Sequence, residues 1–222
     1  MAVGGPLSGT SRMPRRNHGG ELGAVNDVLM RLLDAGFGHP RGVLGRLGGA
    51  LMVLGNGEQE RWAVEQAGLR PGHRVLEVGP GPGLGLRLAA AEISPGGQVI
   101  GVDPSAVMRE MATARCASLI ADGVVTLVDG TAERTGCDSA SVDAAISVNN
   151  IMLWDRPAGF VELARVLRPG GRLVITVHRH VLDVEPAALG DEARRAGLID
   201  VHVDVRPRQR NEPKVQLLAG RP

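Results

Sequence analysis

The sequence of 222 residues has no tyrosine, two phenylalanines, two tryptophans and a single lysine, Lys214. The absence of tyrosine excludes a tyrosine general base. With so few aromatic residues, a surface on which nucleic-acid bases stack is not expected. The two cysteines, Cys116 and Cys137, match no paired metal-ligand spacing and no disulfide framework. We expect both to be buried or half-buried thiols.

The chain also lacks a charge excess and a long apolar run. Its formal net charge is +1, which argues against a dedicated nucleic-acid binder. The first twenty residues contain no apolar segment of the secretory type, and the apolar stretch 47–55 is too short to span a bilayer. We therefore expect a cytoplasmic protein with neither a membrane nor a nucleic-acid partner.

Three parts are predicted along the chain. Residues 1–20 are predicted to be a flexible tail, and residues 21–69 an N-terminal helical lid that covers a substrate site. Within the lid, the glycine-rich apolar stretch 41–55 is typical of a mobile cover. Residues 70–222 form the predicted core, and a homodimer through the N-terminal helices is left open.

Short apolar runs alternate with helical patterns throughout the predicted core. Strands are predicted at 74–78, 98–102, 124–128, 142–148, 172–177, 199–205 and 215–219, and helices at 84–92, 105–120, 158–167 and 186–196. This alternation is typical of a parallel sheet with helices on both faces. The turn-like link 207–213 predicts an antiparallel hairpin at one edge. The predicted fold class is α/β: a Rossmann-like, doubly wound, seven-stranded and mostly parallel sheet with an antiparallel edge strand and the N-terminal helical lid.

A glycine-rich turn follows the first predicted strand. Gly79, Gly81 and Gly83 occupy alternate positions between this strand and a predicted helix, and Glu77 precedes them. Glycine permits a tight turn and lets a ligand approach the backbone, and the helix N-terminus offers free N–H groups. Because ligands of open α/β sheets bind beyond the carboxyl ends of the strands, the turn should hold a cofactor.

The spacing of these glycines indicates which cofactor. The dinucleotide pattern G-x-G-x-x-G fails in every register, since its third glycine always falls on a leucine, and no phosphate-binding loop is present. The pattern E-x-G-x-G-x-G does fit. It resembles motif I of the class I S-adenosylmethionine-dependent methyltransferases. The overall pattern, which includes the segment 149–154 after the fourth strand, is most similar to the small-molecule and quinone-biosynthesis-like group of that family.

Segments after the following strands are similar to later motifs of that family, in the right order. The resemblance implies that Asp103, after the second strand, accepts both ribose hydroxyls of S-adenosylmethionine. It implies that the segment after the third strand contacts the adenine. The implied cofactor-binding residues are Glu77, Gly79, Gly81, Gly83, Asp103, Pro104, Asp129, Gly130, Thr131 and Asn149.

The residues that would bind the methyl acceptor have no motif comparable to the glycine-rich turn. The sulfonium of S-adenosylmethionine is already electrophilic, so the enzyme mainly aligns an acceptor and excludes water. Residues beyond the fourth strand are expected to line the acceptor pocket: Asn150, Met152, Leu153 and Trp154. Packing is an equal alternative for Trp154. His178 and His180 are candidate catalytic bases for a hydroxyl acceptor, with an exposed strand end as the alternative. No metal site is expected.

The sequence therefore predicts methyl transfer from S-adenosylmethionine to a small organic acceptor, with S-adenosylhomocysteine as product. The acceptor is predicted to be a bacterial secondary metabolite, with O-, C- and N-methylation left open. The short link 182–185 between the fifth strand and the last helix leaves no room for a large recognition insert. Three alternatives are left open. They are an RNA or protein methyltransferase, which has the same cofactor half, a nicotinamide-dependent oxidoreductase on a similar sheet, and a non-catalytic protein that keeps the cofactor site for regulation or partner contact.

Overall fold

The computed structural model describes residues 57–206 and 214–222. The predicted tail, residues 21–56 of the predicted lid and the link 207–213 lie outside the described residues. In the part that is described, no helix is both long and apolar enough to cross a bilayer.

The described chain alternates strands and helices as the sequence predicts. Its first element is the helix α1, described over residues 57–66. The strands are β1 (Arg74–Val78), β2 (Gln98–Val102), β3 (Val125–Val128), β4 (Val142–Val148), β5 (Leu167–His178), β6 (Ile199–Arg206) and β7 (Lys214–Gly220). The helices that follow α1 are α2 (Leu84–Glu92), α3 (Ala106–Arg115), α4 (Ala117–Ala121), α5 (Arg156–Val166) and α6 (Pro186–Arg195). Single 3₁₀ turns lie at Ile151–Leu153 and Arg179–Val181.

The seven strands form one sheet in the order β3-β2-β1-β4-β5-β7-β6. Strands β1 to β5 pair in parallel, and β7 runs antiparallel to both of its neighbours. The predicted doubly wound sheet and its antiparallel hairpin at one edge are confirmed. Within that hairpin, β7 lies between β5 and β6. The strand order reverses between β1 and β4, and such a switch point opens a crevice at the carboxyl ends of the strands.

Helices cover both faces of the sheet, and each face has its own apolar core. Alternate strand residues point to opposite faces, so Val75 of β1 belongs to the core that contains residues of α1 and α2, whereas Leu76 belongs to the core that contains residues of α5 and α6. Leu86 of α2 and Phe160 of α5 are fully buried in these two cores. Because α1 shares a core with β1 and α2, its position relative to the strand ends is fixed by packing.

Two element boundaries differ from the sequence prediction. The helix predicted over 105–120 is interrupted at Cys116, whose backbone leaves the helical region and whose thiol lies 3.6 Å from the carbonyl oxygen of Gly83. Strand β5 begins at Leu167 because Leu167 already pairs with Val142, before a register shift in which the glycine-containing stretch 168–171 of β5 bulges from the pairing. Both cysteines are buried free thiols, as predicted.

Candidate active site

The glycine-rich turn lies at the switch point between β1 and β4. Gly79, Gly81 and Gly83 adopt positive φ angles of 66°, 50° and 85°. The N–H of Gly79 donates to the carbonyl of Val102 at 2.8 Å, which holds the turn beside the end of β2. A Cβ atom at Gly79 would collide with the side chain of Asn150. The turn therefore requires glycine, and it presents bare backbone with no side-chain cap at the start of α2.

Asp103 follows β2 at the side of this turn and is only 6% exposed. Its carboxylate accepts the N–H of Ser105 at 2.8 Å and an N–H from Gly81. Burial raises the pKa of Asp103 to about 6, although these two N–H groups favour the charged form. The structure thus fixes a carboxylate, ionised at neutral pH, directly beside the glycine turn.

An arginine links the ends of β2 and β3. Arg109 donates to the backbone carbonyl of Asp103 at 2.6 Å and to the carboxylate of Asp129 at 3.2 Å. The Asp129 side chain is 72% exposed, and Pro104 is exposed beside it. The predicted ribose and adenine segments therefore lie next to each other, with Asp129 in a more open position than Asp103.

Gly130 and Thr131 form a tight turn after β3. Thr131 and Arg134 exchange backbone hydrogen bonds of 3.2 Å in both directions. A Cβ atom at Gly130 would lie 2.8 Å from the carbonyl oxygen of Arg134. Close packing therefore accounts for glycine at this position.

Asn149, directly after β4, joins three elements. Its backbone has a positive φ of 50°, which is uncommon for a residue other than glycine. Its amide donates to the side chain of Gln59 in α1 at 2.8 Å, and its oxygen accepts the N–H of His178 at 3.0 Å. Gln59 also lies 3.5 Å from the hydroxyl of Thr176 in β5. The Asn149 side chain thus links α1 to the end of β5. Its contact with the cofactor stays a prediction.

The loop between β4 and α5 brings two of the four predicted acceptor-pocket residues together. The Trp154 indole N–H donates to Asn150 at 2.5 Å, and the Asn150 side chain lies over Gly79. The Trp154 ring packs close to Gly159 of α5. Met152 is half-buried against the core, whereas Leu153 is 46% exposed. Asn150 and Trp154 thus form one hydrogen-bonded unit above the glycine turn.

His178 and His180 lie at the carboxyl end of β5, at the same edge of the sheet. His178 is half-buried and His180 is exposed, and their ring centroids are 5.5 Å apart. Their role as bases stays a prediction. Asp143, at the opposite end of β4, binds the N–H of Arg74 and the guanidinium of Arg168, each at 2.7 Å, and is structural.

Glu77 lies beneath the turn and is 2% exposed. One of its carboxylate oxygens contacts the position that a Cβ atom of Gly85 would occupy, and an oxygen of Glu60 lies 2.6 Å from the same point. Burial raises the pKa of Glu77 well above its ordinary value, and the carboxylates of Glu60 and Asp103 add to this effect. Burial also raises the pKa of Glu60 to about 8.

Sequence reasoning missed Gln59 and Glu60, although α1 carries a signal for them. The buried face of α1 continues through Ala63 and Val64 to Ala67, directly after the helix, and all three are apolar and at helical spacing. Gln59 and Glu60 are two polar residues on this face, at the end nearest the glycine turn. Buried polar residues at one end of an apolar stripe are a reason to look for a ligand or a polar partner.

These features fit S-adenosylmethionine. The turn offers bare backbone at a helix N-terminus, Asp103 offers a fixed carboxylate for hydroxyl groups, and the buried carboxyls beneath the turn suit a cation. The turn and Asp103 lie at the switch point of the sheet, and the two carboxyls lie beneath the turn, against Gly85 of α2.

Comparison with known proteins agrees with this geometry. Residues 76–175 match the model of a family described as "Methyltransferase domain". The chain is 30% identical over 141 residues to the uncharacterized methyltransferase YdaC of Bacillus subtilis, covering 63% of this chain and 75% of that protein. It is 34% identical over 128 residues to the demethylmenaquinone methyltransferase of Symbiobacterium thermophilum, covering 55% of this chain but only 50% of that protein.

A solved structure has the same fold. The phosphoethanolamine N-methyltransferase 2 of Haemonchus contortus, in complex with phosphomonomethylethanolamine and S-adenosylhomocysteine, superposes with a TM-score of 0.64. The match covers 88% of this chain and 56% of that protein at 20% sequence identity. The cofactor is thus S-adenosylmethionine and not a nicotinamide, and the chain belongs to the class I S-adenosylmethionine-dependent methyltransferases.

Proposed function

We propose that this methyltransferase acts on a small organic acceptor that binds above the glycine turn. The observation that carries the proposal is the unit formed by Asn150 and Trp154, which covers Gly79 at the switch point. A half-buried indole with a polar side chain beside it suits an acceptor with an apolar body and a polar handle. The similarity to a quinone-biosynthesis methyltransferase supports this substrate class.

The connection that follows β5 supports the same proposal. Only one 3₁₀ turn, Arg179–Val181, and four further residues separate β5 from α6 at Pro186. A connection this short provides little surface with which to recognise RNA or a folded protein. The predicted lid over residues 21–69 would then supply the remaining cover. The role we propose is the tailoring of a bacterial secondary metabolite.

For the cofactor, we propose that Asp103 accepts the ribose hydroxyls, because its carboxylate is fixed by two N–H groups and ionised at neutral pH. Asp129, Gly130 and Thr131, at the neighbouring strand end, would border the adenine. When bound, S-adenosylmethionine supplies an electrophilic methyl group. The protein's residues orient the acceptor and keep water away.

At the acceptor end, we propose that His178 accepts the proton where the acceptor is a hydroxyl. It is half-buried and its backbone N–H is tied to Asn149, which places it beside the loop that carries Trp154. His180 is the more exposed of the two candidates. A carbon or sulfur acceptor would not need this step.

The test is to supply the purified protein with methyl-labelled S-adenosylmethionine and three acceptor pools: a bacterial small-molecule extract, total RNA and total protein. The proposal expects label in the small-molecule extract. Asp103→Ala should abolish labelling, whereas Asp122→Ala, an exposed aspartate in the turn after α4, should retain it. Label confined to RNA or to protein would overturn the small-molecule proposal and leave the methyltransferase assignment standing.

A further inference from the structure

A cleft opens at the amino ends of β4 and β5, on the edge of the sheet opposite the glycine turn. Its volume is about 450 Å³, and it lies between the residues that follow α1 and the stretch 168–172 at the start of β5. Because β4 has seven residues and rises about 3.3 Å per residue, its two ends are about 20 Å apart. The cleft is therefore separate from the crevice that receives the cofactor.

The lining of this cleft is cationic. Arg70, His73, Arg168 and Arg172 line it, together with a single carboxylate, Asp143. The other lining residues are an alanine, a proline and three glycines. The whole chain has a formal net charge of only +1, so this cleft concentrates positive charge. A concave surface of one sign attracts ligands of the opposite sign, which here are anions.

Two of the arginines are held in place by the fold. Arg168 donates to the carboxylate of Asp143 at 2.7 Å. Arg172 donates to the backbone carbonyl of Gln66, the last residue of α1, at 2.8 Å. Each guanidinium group has five N–H donors, and each of these bonds uses one of them. The cleft therefore has further donors for a ligand, on side chains that are already anchored.

The single carboxylate of the cleft is already compensated. Asp143 accepts the backbone N–H of Arg74 at 2.7 Å in addition to the guanidinium of Arg168. Burial acts to raise the pKa of Asp143, but these two bonds and the charges of Arg168 and His73 outweigh it and lower that pKa. Asp143 thus stays ionised and holds Arg168 in position, and the net charge of the lining remains positive.

Two nitrogen atoms beside the cleft lack partners. Among the described residues, Nδ1 of His73 and Nε of Arg74 are buried and form no hydrogen bond. Most buried polar atoms of native proteins are paired with the protein, with water or with an ion. Unpaired nitrogens next to three arginines are a further sign that this part of the protein receives an anion.

We propose that this cleft is a second binding site, which takes the phosphate group of a small phosphate ester. Guanidinium groups match the oxygens of a phosphate in both charge and geometry. The volume of the cleft falls within the range of small-molecule sites, about 300–1,000 Å³, so the organic part of the ester has room beside Ala67 and Pro169. The ligand would join the segment after α1, through Arg70, to the start of β5, through Arg172.

Calorimetry with glycerol 3-phosphate as the probe tests this site without requiring turnover. S-adenosylhomocysteine is kept saturating, because the helix N-terminus at the glycine turn could itself attract an anion. Sodium chloride keeps the ionic strength constant, because salt screens exposed charges. We expect one bound glycerol 3-phosphate per chain with a Kd below about 1 mM, and weaker binding of inorganic phosphate, which lacks the organic part.

Variants of two arginines locate the binding. Arg70→Gln and Arg172→Gln should each weaken glycerol 3-phosphate binding about tenfold, as expected for the loss of a charge-assisted hydrogen bond, and leave the affinity for S-adenosylhomocysteine unchanged. The matched control is Arg87→Gln, an exposed arginine of α2, which should bind glycerol 3-phosphate as the wild type does. Because Arg70 is exposed, Arg70→Gln should also unfold at the wild-type temperature, which separates ligand binding from a structural effect.

No binding of glycerol 3-phosphate by the wild type, or equal binding by the wild type and Arg70→Gln, would overturn the proposal. Equal affinity for inorganic phosphate would overturn the assignment to an ester. An RNA oligonucleotide that binds through Arg70 and Arg172 while glycerol 3-phosphate does not would also overturn it, since the cleft would then belong to a nucleic-acid surface. These outcomes concern the amino edge of the sheet alone and do not depend on which acceptor is methylated.

Discussion

Gly79→Ala tests the geometry of the glycine turn most sharply. The φ angle of Gly79 is +66°, so alanine there costs about 1 kcal/mol in backbone strain. The new Cβ atom would also displace the Asn150 side chain, and with it the hydrogen bond from Trp154, for about another 1 kcal/mol. A total loss of about 2 kcal/mol lowers Tm by about 4–8 °C in a chain of this size.

A matched variant separates strain from collision. Gly72 also has a positive φ, +84°, but nothing lies within 4 Å of the position of its Cβ atom. Gly72→Ala should therefore show only the strain, about 1 kcal/mol or about 2–4 °C. Combining Gly79→Ala with Asn150→Ala should restore part of the loss, because the double variant has no side chain to displace. Equal losses in urea unfolding for Gly79→Ala and Gly72→Ala would refute the proposed contact between the turn and the loop.

Three further predictions concern separate parts of the structure. Asp103→Ala should weaken S-adenosylhomocysteine binding about thirtyfold or more. The affinity of the wild-type protein should fall as pH drops through about 6, because Asp103 takes up a proton there. Calorimetry at several pH values measures both effects. Glu162, bound by Arg165 at 2.7 Å and by Thr135 at 2.7 and 3.0 Å, has its pKa lowered to about 2. Its stabilising effect should be complete above about pH 4.5 and lost as pH falls towards about 2, and a Glu162→Gln variant that unfolds with the same acid profile as the wild type would contradict this. Trp154→Phe removes the indole N–H bond and should raise KM for the acceptor while the Kd of S-adenosylhomocysteine stays within about twofold, which steady-state kinetics and calorimetry together can check.

The sequence predicted those parts of the fold that depend on local patterns. The bounds of β4 and α2 agree with the prediction, since an apolar run and a glycine turn mark them directly. The position of β7 between β5 and β6 depends on pairing across the sheet and has no local signal. The same is true of the early start of β5 at Leu167, which follows from its pairing with Val142.

For the site, the glycine turn and Asp103 were predictable because strand, turn and acidic residue follow one another in the chain. The contacts of Gln59 with Asn149 and Thr176 span 90 and 117 residues, and no spacing rule connects residues so far apart. The convergence of Glu60 with Glu77 likewise appears only once α1 is packed on β1 and α2. Long-range packing, and not residue type, makes these side chains part of the site.

The central claim is that the crevice beside Gly79 and Asp103 binds S-adenosylmethionine. The most direct measurement is thermal unfolding with S-adenosylhomocysteine or with NAD at about 100 times the expected Kd. Binding stabilises the protein by about 2.7 kcal/mol under these conditions, which raises Tm by about 5–10 °C. We predict this rise with S-adenosylhomocysteine alone and its loss in Asp103→Ala. An unchanged Tm with S-adenosylhomocysteine, or a rise with NAD, would contradict the account.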